Sequence, residues 1–131
     1  MSGNVPRIDL RAQENAGGHT ITAHVGKDAL WLSNRLAMDP AIRVASSFPD
    51  VQTAERHVTA AVQANLAQIQ HWLGNSSRAL KAFDHDAGFT VGYGVVRGVP
   101  GVTSMTKLRL VVRKLSSQPN GCFVYTAFPS L

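Results

Sequence analysis

Between Pro49 and Gly74, apolar residues recur at three- and four-residue steps: Ala54, Val58, Ala61, Val62, Leu66, Ile69, Trp72 and Leu73. On a helix these positions form one buried face. Pro49-Asp50 opens the segment and Gly74 closes it, so one long helix is expected between them. Upstream, Asp28 is placed to cap a helix running to about Met38, with Leu32, Leu36 and nearby Trp31 supplying its apolar face and Pro40 just beyond its end. His19 to Val25, between Gly17-Gly18 and Gly26, reads as a short helix. Residues 1–16 read as an extended arm ahead of a domain spanning 17–131.

Beyond Gly74 the period falls to two. Val91, Tyr93 and Val95 alternate with glycine, and Leu108, Leu110 and Val112 alternate with Arg109, Val111 and Arg113, which predicts strands, the second with a partly basic face. Pro119-Asn120-Gly121 is a turn signal, and Cys122 to Phe128 reads as a strand ended by Pro129. Helices first and strands second predict an α+β fold, with N-terminal helices packed on a C-terminal antiparallel sheet.

The chain has 131 residues, 44% hydrophobic and 16% charged, which is the composition of one globular domain. The single cysteine, Cys122, excludes an internal disulfide framework and is expected in a strand as a small apolar residue. No apolar run reaches the roughly 20 residues of a membrane span. Residues 1–18 are polar and lack the apolar stretch of a secretory signal, so export is expected only as part of a larger protein.

The net charge of +5 is carried by one half of the chain. Residues 1–72 balance six bases against six acids; residues 73–131 hold seven bases and only Asp84 and Asp86 as acids. Such one-sided positive charge attracts polyanions, and it equally suits an acidic protein partner.

No His-Glu-x-x-His or paired Cys-x-x-Cys spacing is present, and there is no Walker loop. Asp84-His85-Asp86, just before Ala87-Gly88, reads as a turn rather than a metal site, and Gly92-x-Gly94 is too short for a nucleotide fingerprint. His57 and His71, on the long helix, read as packing or surface residues. Metal-free acid–base chemistry therefore rests on His19 and His24. Five residues turn a helix by about 140°, so the two would not share a face of one helix. His24 and Arg35 would align on a continuous helix, but Gly26 and Asp28 argue for a break. By themselves these residues also fit a plainer reading, with His19 capping the turn and His24 packing on the core.

The string Gly17-Gly18-His19-Thr20-Ile21-x-x-His24-Val25-Gly26-Lys27 resembles the opening motif of the bacterial ribonuclease A-like toxin domains, the C-terminal toxin domains of contact-dependent growth inhibition and other polymorphic toxins. The resemblance continues at Arg35-Leu36, Ala45-Ser46-Ser47-Phe48-Pro49-Asp50, Trp72-Leu73, Val111-Val112-Arg113-Lys114 and Tyr125-Thr126-Ala127-Phe128-Pro129, in family order over roughly residues 12–129. It implies a kidney-shaped α+β fold with a central cleft and no disulfides, RNA cleavage without metal or other cofactor, and use against competing bacteria. It implies His24, Arg35 and Thr126 as catalytic residues. Where the family typically has a tyrosine whose hydroxyl belongs to the site, this chain has Phe128.

RNA carries its own nucleophile, so cleavage needs a base for the 2′-hydroxyl, an acid for the departing 5′-oxygen and a cation for the phosphate. On this reading His24 is the base, or alternates as base and acid. Arg35 stabilises the phosphate and Thr126 positions substrate. His19 is the first candidate to replace the hydroxyl missing at Phe128; Tyr125 ranks behind it, because strand alternation should point it away from Thr126. Lys27, Phe128 and Tyr125 are candidate substrate contacts. The expected partners are an RNA substrate and a cognate immunity protein with an acidic face. The chain is expected to act as a monomer in the cytoplasm of the target cell. Two other readings stand beside this one: a non-catalytic RNA-binding module, and a toxin acting through protein contact.

Overall fold

Each of three helices begins at an aspartate whose carboxylate accepts from amides of the first turn. A computed structural model describes residues 5–131. Asp9 caps α1 (Leu10–Asn15) through Arg11 and Ala12, Asp28 caps α3 (Ala29–Met38) through Trp31, and Asp50 caps α4 (Val51–Ala64) through Thr53. The short α2 (Thr20–His24) lies between, stopped by Gly26 at φ +68°. The extended arm expected over residues 1–16 is thus helical from Leu10, and fully buried Leu10 belongs to the core; residues 1–4 lie outside the described residues.

The single long helix expected between Pro49 and Gly74 is two. After α4 the chain leaves helical geometry at Asn65 and resumes as α5 (Leu66–Asn75). The Asn65 side-chain amide donates to the Ala61 carbonyl at 2.9 Å, which also accepts Asn65's own backbone N–H. That local competition is how asparagine interrupts a helix. The buried face is otherwise as its spacing predicts: Ala54, Val58, Ala61, Ile69 and Trp72 all enter the main core.

The described residues form two antiparallel sheets instead of one. In the first, β1 (Val44–Ser47), β3 (Gly92–Val96) and β4 (Thr103–Met105) run in the order β1-β3-β4. In the second, β2 (Leu80–Asp86), β5 (Lys107–Lys114) and β6 (Cys122–Ser130) run in the order β2-β5-β6. So the helical half contributes a strand of its own, and Asp84-His85-Asp86 closes β2 rather than making the turn. The turn follows, where Asp86 accepts from Gly88 N–H. Pro129 sits inside β6 rather than ending it. As an edge strand, β6 does not need the proline's missing donor on its outer side.

The α4–α5 pair packs on one face of the β2-β5-β6 sheet through Val58, Trp72, Phe83, Leu110, Val112 and Ala127. A smaller cluster joins Leu32 and Leu36 of α3 to Ala45 of β1. The sheets meet where the Ser46 hydroxyl donates to the Pro129 carbonyl at 2.6 Å. Glycine at 92 permits that approach, since a Cβ there would lie 2.5 Å from both the Ser47 carbonyl and the Pro129 ring. Cys122 is half-buried, and burial pushes its thiol pKa up.

Candidate active site

Beside the line where the two sheets meet, groups from α2, α3 and β6 act on the His24 ring. Helix α2 has only five residues, too few to hold itself, so its neighbours hold it. Glu14 accepts from the Thr22 amide at 2.9 Å and the Thr22 hydroxyl at 3.0 Å. The His19 amide donates to the Tyr125 carbonyl, and the His24 carbonyl accepts from Phe48 N–H at 2.8 Å. One end of the helix is therefore tied to β6 and the other to the residue that follows β1. His19 occupies the N-cap position but its ring makes no capping bond, so the plainer reading of that residue does not describe it.

These ties set the His24 ring against β1. Its Nδ1 lies 3.3 Å from the Ser46 carbonyl. A carbonyl only accepts, so Nδ1 carries the proton and Nε2 keeps its lone pair. Burial lowers the His24 pKa to about 4; the Ser46 carbonyl opposes the shift, and the positive charges of His19, Arg35 and Lys27 add to it. At neutral pH the ring is an uncharged base of fixed tautomer.

Arg35, whose charge is felt at His24, lies on α3, a separate helix and not one continuous with that of His24. Leu32 and Leu36 face inward and leave Arg35 exposed, with no ion-pair partner among the described residues. Its guanidinium is free for an anion.

On β6, Val124 and Ala127 both face the core, although three steps separate them. Simple alternation would put them on opposite faces. A bulge resolves this: Val111 pairs with Thr126 and Val112 with Val124, which leaves Tyr125 as the extra residue. Tyr125 and Thr126 consequently share the face turned away from the core. This corrects the expectation that Tyr125 points away from Thr126. Tyr125 meets the His19 ring edge-on at 4.7 Å between centroids, with the Arg113 guanidinium 5.8 Å from its own ring. Phe128, on the same face, lies 5.1 Å from the His24 ring, and the two histidine rings are 6.4 Å apart.

The buried Thr126 hydroxyl has no hydrogen-bond partner among the described residues. An unpaired buried hydroxyl costs free energy until something bonds it. The Lys27 amide is held by the Ser47 hydroxyl, and the lysine's charge is felt at His24. His19 and Phe128 thus stand against the His24 ring, Tyr125 against His19, and the charges of Arg35 and Lys27 act on His24, while Thr126 shares the β6 face of Tyr125 and Phe128. A groove of about 620 Å³ begins at Phe128 and runs past Val44, Ser46, Lys107, Arg109 and Asp84. His24, Arg35 and Thr126 do not line it. In it Arg109 makes a two-pronged pair with Asp84, at 2.9 and 3.3 Å.

Sequence reasoning missed the Ser46 carbonyl, the Arg113–Tyr125 contact and the Asp84–Arg109 pair. The last has a visible signal once strands are paired, since Asp84 and Arg109 are register partners. The others have none, because one is a backbone atom and the other follows from the bulge.

The family model described as the bacterial CdiA-CT RNAse A domain matches residues 18–129. Among solved structures the chain is similar to one titled as a CdiA-CT/CdiI complex from Y. kristensenii, at 33% identity and a TM-score of 0.81, covering 87% of this chain and 100% of that one. No curated protein matches.

Proposed function

The chain belongs to the bacterial CdiA-CT ribonuclease A domain family, toxin domains of interbacterial competition, and from that premise we propose that it cuts RNA without a metal ion, leaving 2′,3′-cyclic phosphate and 5′-hydroxyl ends. The observation that carries this reading is the His24 ring, neutral and held by the Ser46 carbonyl, with a free guanidinium and a second imidazole beside it.

His24 Nε2 takes the proton of the 2′-hydroxyl. The oxygen attacks the adjacent phosphorus, the bond from phosphorus to the 5′-oxygen breaks, and that oxygen leaves with a proton. Arg35 binds the equatorial oxygens, whose negative charge grows as phosphorus becomes five-coordinate. The unpaired Thr126 hydroxyl gains a partner when it donates to a substrate oxygen. His19 delivers the leaving-group proton, held in place by Tyr125. Phe128 has no hydroxyl to offer, and its ring supplies a wall for a base. Lys27 adds positive charge, which draws the anionic substrate in.

By the same reading the chain is delivered as part of a larger toxin protein, acts as a monomer in the target cytoplasm, and is neutralised in its producer by a cognate immunity protein. The matched solved structure holds such a pair by its title. The immunity protein's acidic face would complement this basic chain.

The test is single-stranded RNA incubated with the purified chain in EDTA, with product ends read by mass spectrometry. Cyclic phosphate ends from the wild type, lost in His24→Ala, are expected. Undiminished cleavage by His24→Ala, or dependence on an added metal, defeats the mechanism. Saturable binding without cleavage selects the RNA-binding module, the reading that the missing hydroxyl at Phe128 favours.

A further inference from the structure

One exposed aromatic stands apart from the cleft yet is tied to it. Trp31 keeps 38% of its surface exposed, on a helix whose buried positions are Leu32 and Leu36. It is not loosely held. Its amide donates to the Asp28 carboxylate at 2.8 Å, and the Lys27 ammonium lies 4.9 Å from its ring centroid. Lys27 is pinned in turn, its amide by the Ser47 hydroxyl and its carbonyl by the Tyr93 hydroxyl. A flat apolar ring and an ammonium lying against it, on a backbone held in place, thus form a pair at the start of α3.

The position of this pair relative to the candidate catalytic groups gives it meaning. Trp31 and Arg35 are four residues apart on α3, so they share one helix face about 6 Å apart along its axis. The charges of both Lys27 and Arg35 are felt at the His24 ring. An RNA strand whose phosphate sits on Arg35 therefore has an aromatic surface and a second cation one helical turn away. Bases of unpaired RNA stack on such rings whatever their identity, while the neighbouring cation meets the backbone.

We infer that Trp31 and Lys27 form a stacking subsite for a nucleotide flanking the scissile phosphate, which makes the protein select unpaired RNA longer than a dinucleotide. This rests on the ribonuclease reading above for its cleavage arm, and on binding alone for its second arm.

The cleavage arm compares a dinucleotide with a hexanucleotide that contains the same single cleavable step. In the wild type the hexanucleotide has the larger kcat/KM. In Trp31→Ala that length advantage falls about tenfold, through KM, and Trp31→Phe keeps most of it. The binding arm uses intrinsic fluorescence of His24→Ala. Hexanucleotide quenches Trp31, and the quenching vanishes when Trp31→Phe is added, because the remaining Trp72 is buried. An unaltered length advantage in Trp31→Ala, or no quenching by RNA, overturns the subsite. Quenching by a purified immunity protein but not by RNA also overturns it and makes Trp31 a protein contact. A wild type that cuts no RNA defeats the proposed function instead, and the fluorescence arm then decides the subsite by itself.

Discussion

His24 and His57 look alike by two measures and differ by the third that matters. Both are sheltered, and burial lowers the pKa of each. His57 sits on α4, 3% exposed, against the Phe89 ring, with Arg56 and His85 as the charges it feels. No side-chain hydrogen bond among the described residues fixes its ring. His24 has a carbonyl that decides which nitrogen keeps its lone pair, and groups from α3 and β6 converge on it. A depressed histidine pKa therefore reports burial. A candidate base is marked by a fixed tautomer and by partners brought from distant parts of the chain.

The sharpest way to break that comparison is substitution at both positions. His24→Ala is expected to lower kcat/KM on a fluorogenic RNA at least a thousandfold, near the upper range for a lost proton-transfer group. His57→Gln is expected to stay within threefold. Equal losses at the two sites would mean that tautomer and convergence carry no weight.

Next in size is Arg35. Arg35→Ala should cost about a hundredfold in kcat, the scale of one lost donor to developing charge. Arg35→Lys should recover part of it, since the ammonium keeps the charge but not the forked geometry. Full activity in Arg35→Ala would detach α3 from the reaction.

Acid behaviour separates the two histidines most finely. His24 has a pKa of about 4 in the folded chain, against about 6.5 for an unperturbed histidine. Between those values the unfolded chain binds the extra proton. His24's contribution is therefore fully present above about pH 6.5 and is lost as pH falls towards 4, by about 3 kcal/mol in all. His57 acts with the same sign. Denaturation followed between pH 7 and 4 should show a shallower stability slope in His24→Gln and in His57→Gln. Only His24 sets the activity profile: kcat/KM on the acid side should begin to fall near pH 4, in the wild type and in His57→Gln alike. An ascending limb near 6.5 would contradict the half-buried, neutral ring.

Much of this architecture is legible in the chain. Asp28 and Asp50 announce their helices because a cap is a local contact, and Leu108 to Val112 announce β5 because one face of it is buried. Strand β2 is hidden because only Phe83 of its seven residues is buried, so no alternation shows. The break at Asn65 is hidden because a polar residue on a helix reads as surface until its side chain is seen to bond the backbone. The candidate site divides the same way. His24, Arg35 and Thr126 are named through resemblance, whereas the Ser46 carbonyl belongs to no side chain and the bulge is a property of two strands together.

That extra residue in β6 makes the cleft intolerant of length changes. Gln13 accepts the Val124 amide at 2.8 Å, and Gly18 lies so close that a Cβ there would stand 2.5 Å from the Val124 carbonyl. The first helix and the glycine pair thus brace one irregular point of an otherwise regular ribbon. Trimming a single position at Tyr125 would iron the ribbon flat and restore strict alternation. Residues on one side of the cut would then have to turn over, either dragging Val124 out of the oily interior or driving Thr126 into it. The protein can exchange side chains along this edge far more readily than it can count them differently.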